Sequence, residues 1–261
     1  MRTGQVRAPA AAGTFYPADA ETLGRTVDEL LAGVERREPV APRPSAVIVP
    51  HAGYRYSGPV AASAYALVRP AGRAVILGPA HFATLHGMAV PAASAWATPL
   101  GEVPIDAELR DLVAGRGVAV DDEPHAGEHA LEVQLPFLQR ITDGHIRVLP
   151  IAVGTTQPGE VADLLDALGD LPDQVVVVST DLSHYYDADT ARTLDRRTAD
   201  AVLARDPRSI RLEDACGVFA LRGIVEHARR HDLEVRLLDL RNSADMTGHV
   251  WRVVGYGAFA I

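Results

Sequence analysis

Ionisable side chains able to bind a metal or move a proton stand at three places where apolar runs break off, and a thiol stands at a fourth, ahead of a helical pattern. His51 closes Val47-Ile48-Val49-Pro50, His81 follows Leu77-Gly78-Pro79-Ala80, and Asp181 with His184 follows Val175–Val178 and Ser179-Thr180. The chain's single cysteine, Cys216, lies in Asp214-Ala215-Cys216-Gly217, just ahead of the helical pattern Val218–His227. Neutral imidazoles and a thiolate suit a soft or borderline transition metal, and a nearby carboxylate can complete such a site or orient an imidazole. The close ligand pairs of a structural zinc site are missing, which disfavours that reading. Beside a helix N-terminus the thiolate of Cys216 is expected to be favoured by the helix dipole. Each residue taken alone also has a plainer reading: a packed or capping histidine, a small buried hydrophobe at Cys216, a turn cap at Asp181.

These positions require elements that carry them to one place. Ala46–Val49, Ala74–Leu77 and Val175–Val178 are continuous apolar runs, as expected of strands covered on both faces by helices. A further strand is predicted at Arg147–Val153. Helical spacing predicts helices over Asp19–Val34, with Asp19 as cap, and over Pro59–Val68, Glu128–Ile141, Glu160–Leu168 and Thr190–Ala204. Prolines at 39, 42 and 44 make Glu38–Ser45 a connector, and those at 91, 99 and 104 make Met88–Ile105 a hairpin or an irregular excursion. Glu234–Leu240 and Val250–Ala260 alternate and predict antiparallel strands. The whole reads as a single α/β domain over residues 1–261, with a mixed, mainly parallel sheet flanked by helices on both faces. In such sheets ligands gather beyond the carboxyl ends of the strands, where His51, His81, Asp181 and His184 are expected.

Other ionisable and aromatic residues have open or plainer readings. His129, in Glu128-His129-Ala130-Leu131-Glu132, is either a site residue or a helix-face histidine packed beneath the pocket, and Glu128 reads as a helix-start carboxylate. Tyr54, Tyr56, Tyr185 and Tyr186 could line a pocket mouth or pack at its rim. His86, His145, His227, His231 and His249 read as surface or structural residues. The alternating arginines and aspartates of Arg192–Arg205 read as the solvated face of a helix.

At 48% hydrophobic and 23% charged, the 261 residues can build a compact core. The formal charge of −9 argues against gripping nucleic acid or anionic lipid. No apolar run approaches a membrane span, Met1–Gly13 lacks a long apolar signal segment, and one cysteine precludes an internal disulfide, so a cytoplasmic location is expected.

The chain resembles the MEMO family, called AmmeMemoRadiSam system protein B in prokaryotes, over nearly its whole length. The resemblance is carried by Ala12-Gly13-Thr14-Phe15-Tyr16, Pro50-His51-Ala52-Gly53-Tyr54, Leu77-Gly78-Pro79-Ala80-His81, the stretch from Glu128 to Phe137, Ser179-Thr180-Asp181-Leu182-Ser183-His184, and Cys216-Gly217. It implies a fold like that of the class III extradiol (LigB-like) dioxygenases. By position, His51, His81 and Cys216 match metal-binding residues, iron (Fe2+) or copper (Cu+) being the implied ion, while Asp181 and His184 match further pocket residues. A thiol then replaces the dioxygenase carboxylate, which argues against ring cleavage. The family name implies radical SAM and AMMECR1-like partners.

Three functions compete on this basis. One is a metal-dependent redox protein, with His184 as acid or base and Asp181 and His129 beside it. Another is a non-catalytic module binding a peptide, protein or small molecule in an ancestral pocket. The last is a Cys216–histidine nucleophile, for which no oxyanion-hole signature is present.

Overall fold

The computed structural model describes residues 4–34, 44–68, 70–169 and 173–261; most of the Glu38–Ser45 connector lies outside them. Alternate residues of the central strands feed two separate apolar layers. Val47, Val49, Ala74, Ile76, Val175 and Val177 join one layer, with residues of the helices Ala20–Ala32, Tyr54–Tyr65 and Leu135–Ile141. Ile48, Val75, Leu77, Leu149, Ile151 and Val178 join the other, with residues of Ala107–Ala114, Pro158–Leu168, Ala188–Leu203 and Val218–Arg230. Period-two alternation with both sides apolar explains why these strands show no polar residues.

The nine-stranded sheet runs in the order His184–Tyr186, Val253–Ala260, Ala46–Val49, Gln174–Ser179, Arg73–Gly78, Arg147–Val153, Met88–Val90, Ala119–Val120, and Arg236–Asn242 also pairs with Val253–Ala260. The four strands from Ala46–Val49 to Arg147–Val153 are mutually parallel, and both C-terminal strands pair antiparallel, as expected. Val49 aligns with Ser179 and Leu77 with Val178, so the three strands that lead to His51, Asp181 and His81 end level. The Met88–Ile105 region resolves into a short strand of this sheet followed by a hairpin, Ala95–Thr98 with Gly101–Pro104, which pairs with Val6–Arg7 in a second, small sheet. No helix among the described residues is long and apolar enough to cross a membrane.

Three expectations need correction. The helix predicted over Glu128–Ile141 begins only at Leu135, after a 3-10 turn at Glu132–Gln134. Pro136 is tolerated near a helix start but not in its interior, and Glu128 uses its own carboxylate on the backbone N–H groups of His129 and Ala130, which holds that stretch out of a helix. The helix expected from Pro59 begins at Tyr54, whose N–H donates to Phe15 O, and contains the proline. Within Arg192–Arg205, Asp195 is not solvated: it is buried, accepts from Ser183 N at 2.9 Å, and burial pushes its carboxyl up to about 6.

Glu132 ties the N-terminal segment to the core. Its buried carboxylate accepts from Arg7 Nη1 at 2.5 Å, Tyr16 Oη at 2.6 Å, and the backbone N–H groups of Ala10 and Ala11 at 2.8 Å each. Four donors satisfy it fully, so its charge is tolerated in an apolar setting. Replacing Glu132 by Ala leaves the Arg7 guanidinium nearly enclosed without its counter-charge, and is expected to lower stability by about 3–5 kcal/mol. Urea unfolding at neutral pH checks this, and a loss below about 1 kcal/mol, the value of an ordinary exposed pair, would contradict it.

Candidate metal centre

One cavity of about 760 Å³ gathers all six candidate residues, His51, His81, His129, Asp181, His184 and Cys216, at the carboxyl edge of the parallel strands. The ligating atoms of His51, His81 and His129 lie within 4.8 Å of one another. Their rings meet at centroid distances of 5.3 Å (His51–His81), 5.4 Å (His51–His129) and 4.9 Å (His81–His129). His51 is buried and His81 exposed, so the group reaches from floor to solvent. Cys216 is not part of this group; its Sγ sits 3.2 Å from His51 Nε2.

Hydrogen bonds settle which nitrogen each ring offers. Ser179 Oγ donates its one hydrogen to Ala130 O at 2.6 Å and accepts from Gln134 Nε2 at 2.8 Å. Gln134 is itself fixed, donating also to Pro50 O and accepting from Tyr65 Oη. The contact of His51 Nδ1 with Ser179 Oγ at 3.0 Å must therefore be a donation by the imidazole, which leaves the Nε2 lone pair free. His81 Nδ1 donates to Glu128 Oε1 at 3.0 Å, and His184 Nδ1 donates to Leu182 O at 2.8 Å. All three rings thus present Nε2. His129 stacks on Phe15 at 4.1 Å, and its Nδ1, 3.2 Å from Glu128 Oε1, is a buried nitrogen without a well-aligned partner.

Burial keeps two groups at the cavity floor, His51 and Cys216, in their neutral forms. Burial, only partly offset by Asp181, pushes the His51 imidazole down to about 4. Burial also pushes the Cys216 thiol up to about 12, which overturns the expectation of a thiolate favoured by the helix dipole: desolvation outweighs it. With base and acid displaced in opposite directions, the proton stays on sulfur, and a Cys216–His51 nucleophilic pair is disfavoured despite its contact distance. Glu128 behaves in the opposite way. Burial opposes its ionisation, but the His81 ring, the nearby His129 imidazole and the backbone N–H groups of His129 and Ala130 together hold its carboxyl far below the usual range.

Asp181 supports this arrangement from behind, accepting from His51 N at 2.8 Å while its own N–H meets Cys216 Sγ at 3.3 Å. Gly217 lets that loop close, because a Cβ there would stand 2.8 Å from Thr180 Cβ and 2.9 Å from Ser179 O. Of the four tyrosines, Tyr56 and Tyr185 line the cavity. Tyr54 does not: it is buried, with its hydroxyl donating to Val133 O. His249, read as a surface or structural residue, is exposed and also lines the cavity, as do Phe15, Trp251, Arg252 and Tyr256. Reading residues by strand end missed Glu128, Ser179 and Gln134. The available signal was polar residues inside apolar stretches: Gln134 in Val133–Phe137 and Ser179 after four valines.

The donor set fits a transition metal. Three imidazoles converge, two offer lone pairs by enforced tautomer, one has an unpartnered buried nitrogen, and a carboxylate stands behind His81 as in carboxylate–histidine–metal triads. Imidazole with an adjacent thiol suits iron, copper or zinc rather than magnesium or calcium.

Comparison with known proteins agrees with the sequence resemblance. A family model described as Memo-like protein matches residues 7–260. A MEMO1 family protein of Aquifex aeolicus is 38% identical over 263 residues, covering 97% of this chain and 97% of that protein. One of Methanosarcina acetivorans is 34% identical over 270 residues, covering 98% and 99%. Among solved structures, that of an uncharacterized protein from Escherichia coli K12 superposes with a TM-score of 0.51 at 13% identity, over 82% of this chain and 99% of that one, a likeness of fold alone.

Two outcomes follow from the neutral floor. Iodoacetamide should label Cys216 of metal-free protein slowly at pH 8, with a titration midpoint well above 9; fast labelling with a midpoint below 8 would restore the thiolate. Burial pushes both His51 and His125 down to about 4 from an ordinary 6.5, so between those values the unfolded chain binds protons that the native one does not. Stability of metal-free protein should fall as pH drops from 6.5 to 4, by at most about 3 kcal/mol per histidine. Urea midpoints that are flat across this window would refute it.

Proposed function

The chain belongs to the MEMO family, and from that membership and the three-histidine cavity we propose a metal-binding protein that holds iron or copper and performs metal-dependent redox chemistry on a small molecule. The convergence of three imidazole ligating atoms within 4.8 Å carries this reading. The fold relation we propose is to the class III extradiol dioxygenases, in keeping with the mixed sheet and its strand-end cavity.

In this reading His51, His81 and His129 are ligands, and Cys216, 3.2 Å from His51 Nε2, is a fourth donor once its proton is displaced. A bound iron or copper ion would supply electron transfer and a Lewis-acidic centre. The protein's own part is positional. Ser179 and Glu128 hold the His51 and His81 rings with Nε2 outward, and Asp181 fixes the backbone of His51. His184, with Nδ1 committed to Leu182 O, keeps Nε2 free to take a proton from a ligand in the cavity or return it. Both Glu128 oxygens are occupied by N–H donors, so that carboxylate supports a ligand and does not replace one. Three histidines and a thiol differ from the two-histidine, one-carboxylate set used for ring cleavage, so oxygen-dependent oxidation is favoured over catechol opening.

A second reading, a binding pocket for a peptide or protein, is favoured by the rim. Phe82, Tyr185 and Trp251 are 73%, 66% and 79% exposed, an unusual set of large aromatic residues in water. Radical SAM and AMMECR1-like proteins, the partners implied by the resemblance, are candidates for that rim.

Metal analysis after anaerobic loading with Fe(II) or Cu(I) tests the main reading. His51→Ala, His81→Ala and His129→Ala should each abolish retention in the cavity, and Glu128→Gln should weaken it by about 10–100-fold. Cys216→Ser should cost more affinity for Cu(I) than for Fe(II) if sulfur is a donor. Retention unaffected by the histidine substitutions would refute the site. Retention without oxygen uptake in the presence of catechols or thiols would leave the binding reading.

A further inference from the structure

A second cluster of metal-ligating side chains lies away from the cavity, between the helices Pro158–Leu168 and Val218–Arg230. Asp166 on the first helix faces His227 near the end of the second and His231, its C-terminal cap. Asp166 Oδ1 is 2.7 Å from His227 Nδ1 and 2.8 Å from His231 Nε2, the rings are 4.6 Å apart, and the three ligating atoms fall within 4.8 Å of one another. We propose that Asp166, His227 and His231 form a peripheral site for a borderline divalent transition ion of the Zn(II) class, which clamps the two helices together.

Two histidines at i and i+4 share one helix face, the spacing that lets both imidazoles reach one ion. The carboxylate comes from the neighbouring helix, whose distance is fixed: Gly223 packs against Val161 so closely that a Cβ there would come within 2.3 Å of Val161 Cβ. The donor atoms therefore sit on a rigid frame, as a preformed site requires. Two imidazoles and one carboxylate select zinc, nickel or copper over magnesium or calcium, and partial exposure leaves a fourth position for water.

The local charge accommodates a cation. Arg230 Nη1 holds Asp166 Oδ2 at 3.1 Å and Asp163 at 2.6 Å, while Glu226 pairs with Arg229 and Arg230, so three carboxylates face two guanidiniums. Oδ1, the oxygen on the histidine side, has only the two imidazoles. At present both rings donate to it. Binding requires His227 Nδ1 and His231 Nε2 to present a lone pair to the ion, with each ring's hydrogen carried on its other nitrogen.

This site does not depend on the reading of the cavity, and its test keeps the two apart. Chelator-stripped protein is titrated with Zn(II), with zinc content and thermal midpoint as readouts, in wild type, in His51→Ala/His81→Ala/His129→Ala, and in each of these with His227→Ala or His231→Ala added. The cavity variant should still bind one equivalent and gain thermal stability with it, as any ligand of the native state confers. Either added substitution should remove both, by more than the about 10–100-fold that loss of a supporting hydrogen bond costs. Asp166→Asn should weaken binding while leaving the fold intact in zinc-free buffer. If the cavity variant binds no zinc at micromolar concentration, or binds it equally with His227→Ala and His231→Ala, the proposal is overturned. Should the cavity variant misfold, the same comparison in the otherwise wild-type chain decides it: a drop of one equivalent on His231→Ala supports the site, and an unchanged count refutes it.

Discussion

The burial of one ionised carboxylate, Glu128, organises the candidate site. An isolated charge in that position would be prohibitive, so the surrounding chain is obliged to turn N–H groups toward it. Those of His81, His129 and Ala130 do so, joined by the His81 ring. The same bonds stop the chain from entering a helix at residue 128, place His81 and His129 in stacked contact, and force Nε2 of His81 outward. Local irregularity, ring orientation and tautomer are thus three consequences of one charge. Glu132, four residues on, plays the matching role for the N-terminal segment, and its partner Arg7 donates to Glu128 O as well. The two carboxylates bind the segments around the cavity wall into one network.

A second network reaches His51 without any charge. Tyr65, Gln134, Ser179 and Ala130 pass hydrogen bonds in a single permitted direction, each group having its donors and acceptors fully assigned. Buried polar chains of this kind are costly if any member is left unpaired, and when complete they fix one arrangement. The imidazole at their end can only donate through Nδ1. The deepest imidazole, kept neutral by burial, is thereby turned by residues that never enter the cavity.

The legible part of this protein was what period and punctuation encode. Runs such as Val175–Val178 mark strands buried on both faces, and the level ends of three such strands account for the gathering of His51, His81 and Asp181. The helix capped by Asp19 and the C-terminal antiparallel strands were readable for the same reason. Long-range capture of polar side chains was not readable. Glu128, Asp195 and Tyr54 carry groups that ordinarily face water, and nothing local says that a partner distant in sequence, such as His81, Ser183 or Val133, will take them inward. The thiol of Cys216 failed for a related reason. Its position before a helix was visible in the sequence, but the degree of desolvation that decides its protonation is a property of the packed whole.

These opposing influences define what an ion must do to enter the cavity. The floor holds a neutral imidazole against a protonated thiol, with the charge of Glu128 set back by one histidine ring. A cation arriving there would find the lone pair of His51 Nε2 available without proton release, because burial keeps that ring neutral and Ser179 holds its Nδ1 as the donor. Sulfur is different: it becomes a donor only by releasing its proton, against a desolvation penalty that the ion's own charge must offset. Engagement of Cys216 would therefore be tied to proton release, whereas engagement of His51 near neutral pH would not. An ion that binds thiolate strongly would overcome the penalty, and one with little affinity for sulfur would stay with the three imidazoles. Under the proposed metal reading, desolvation of one thiol would thus make the number of protein donors depend on the kind of ion bound.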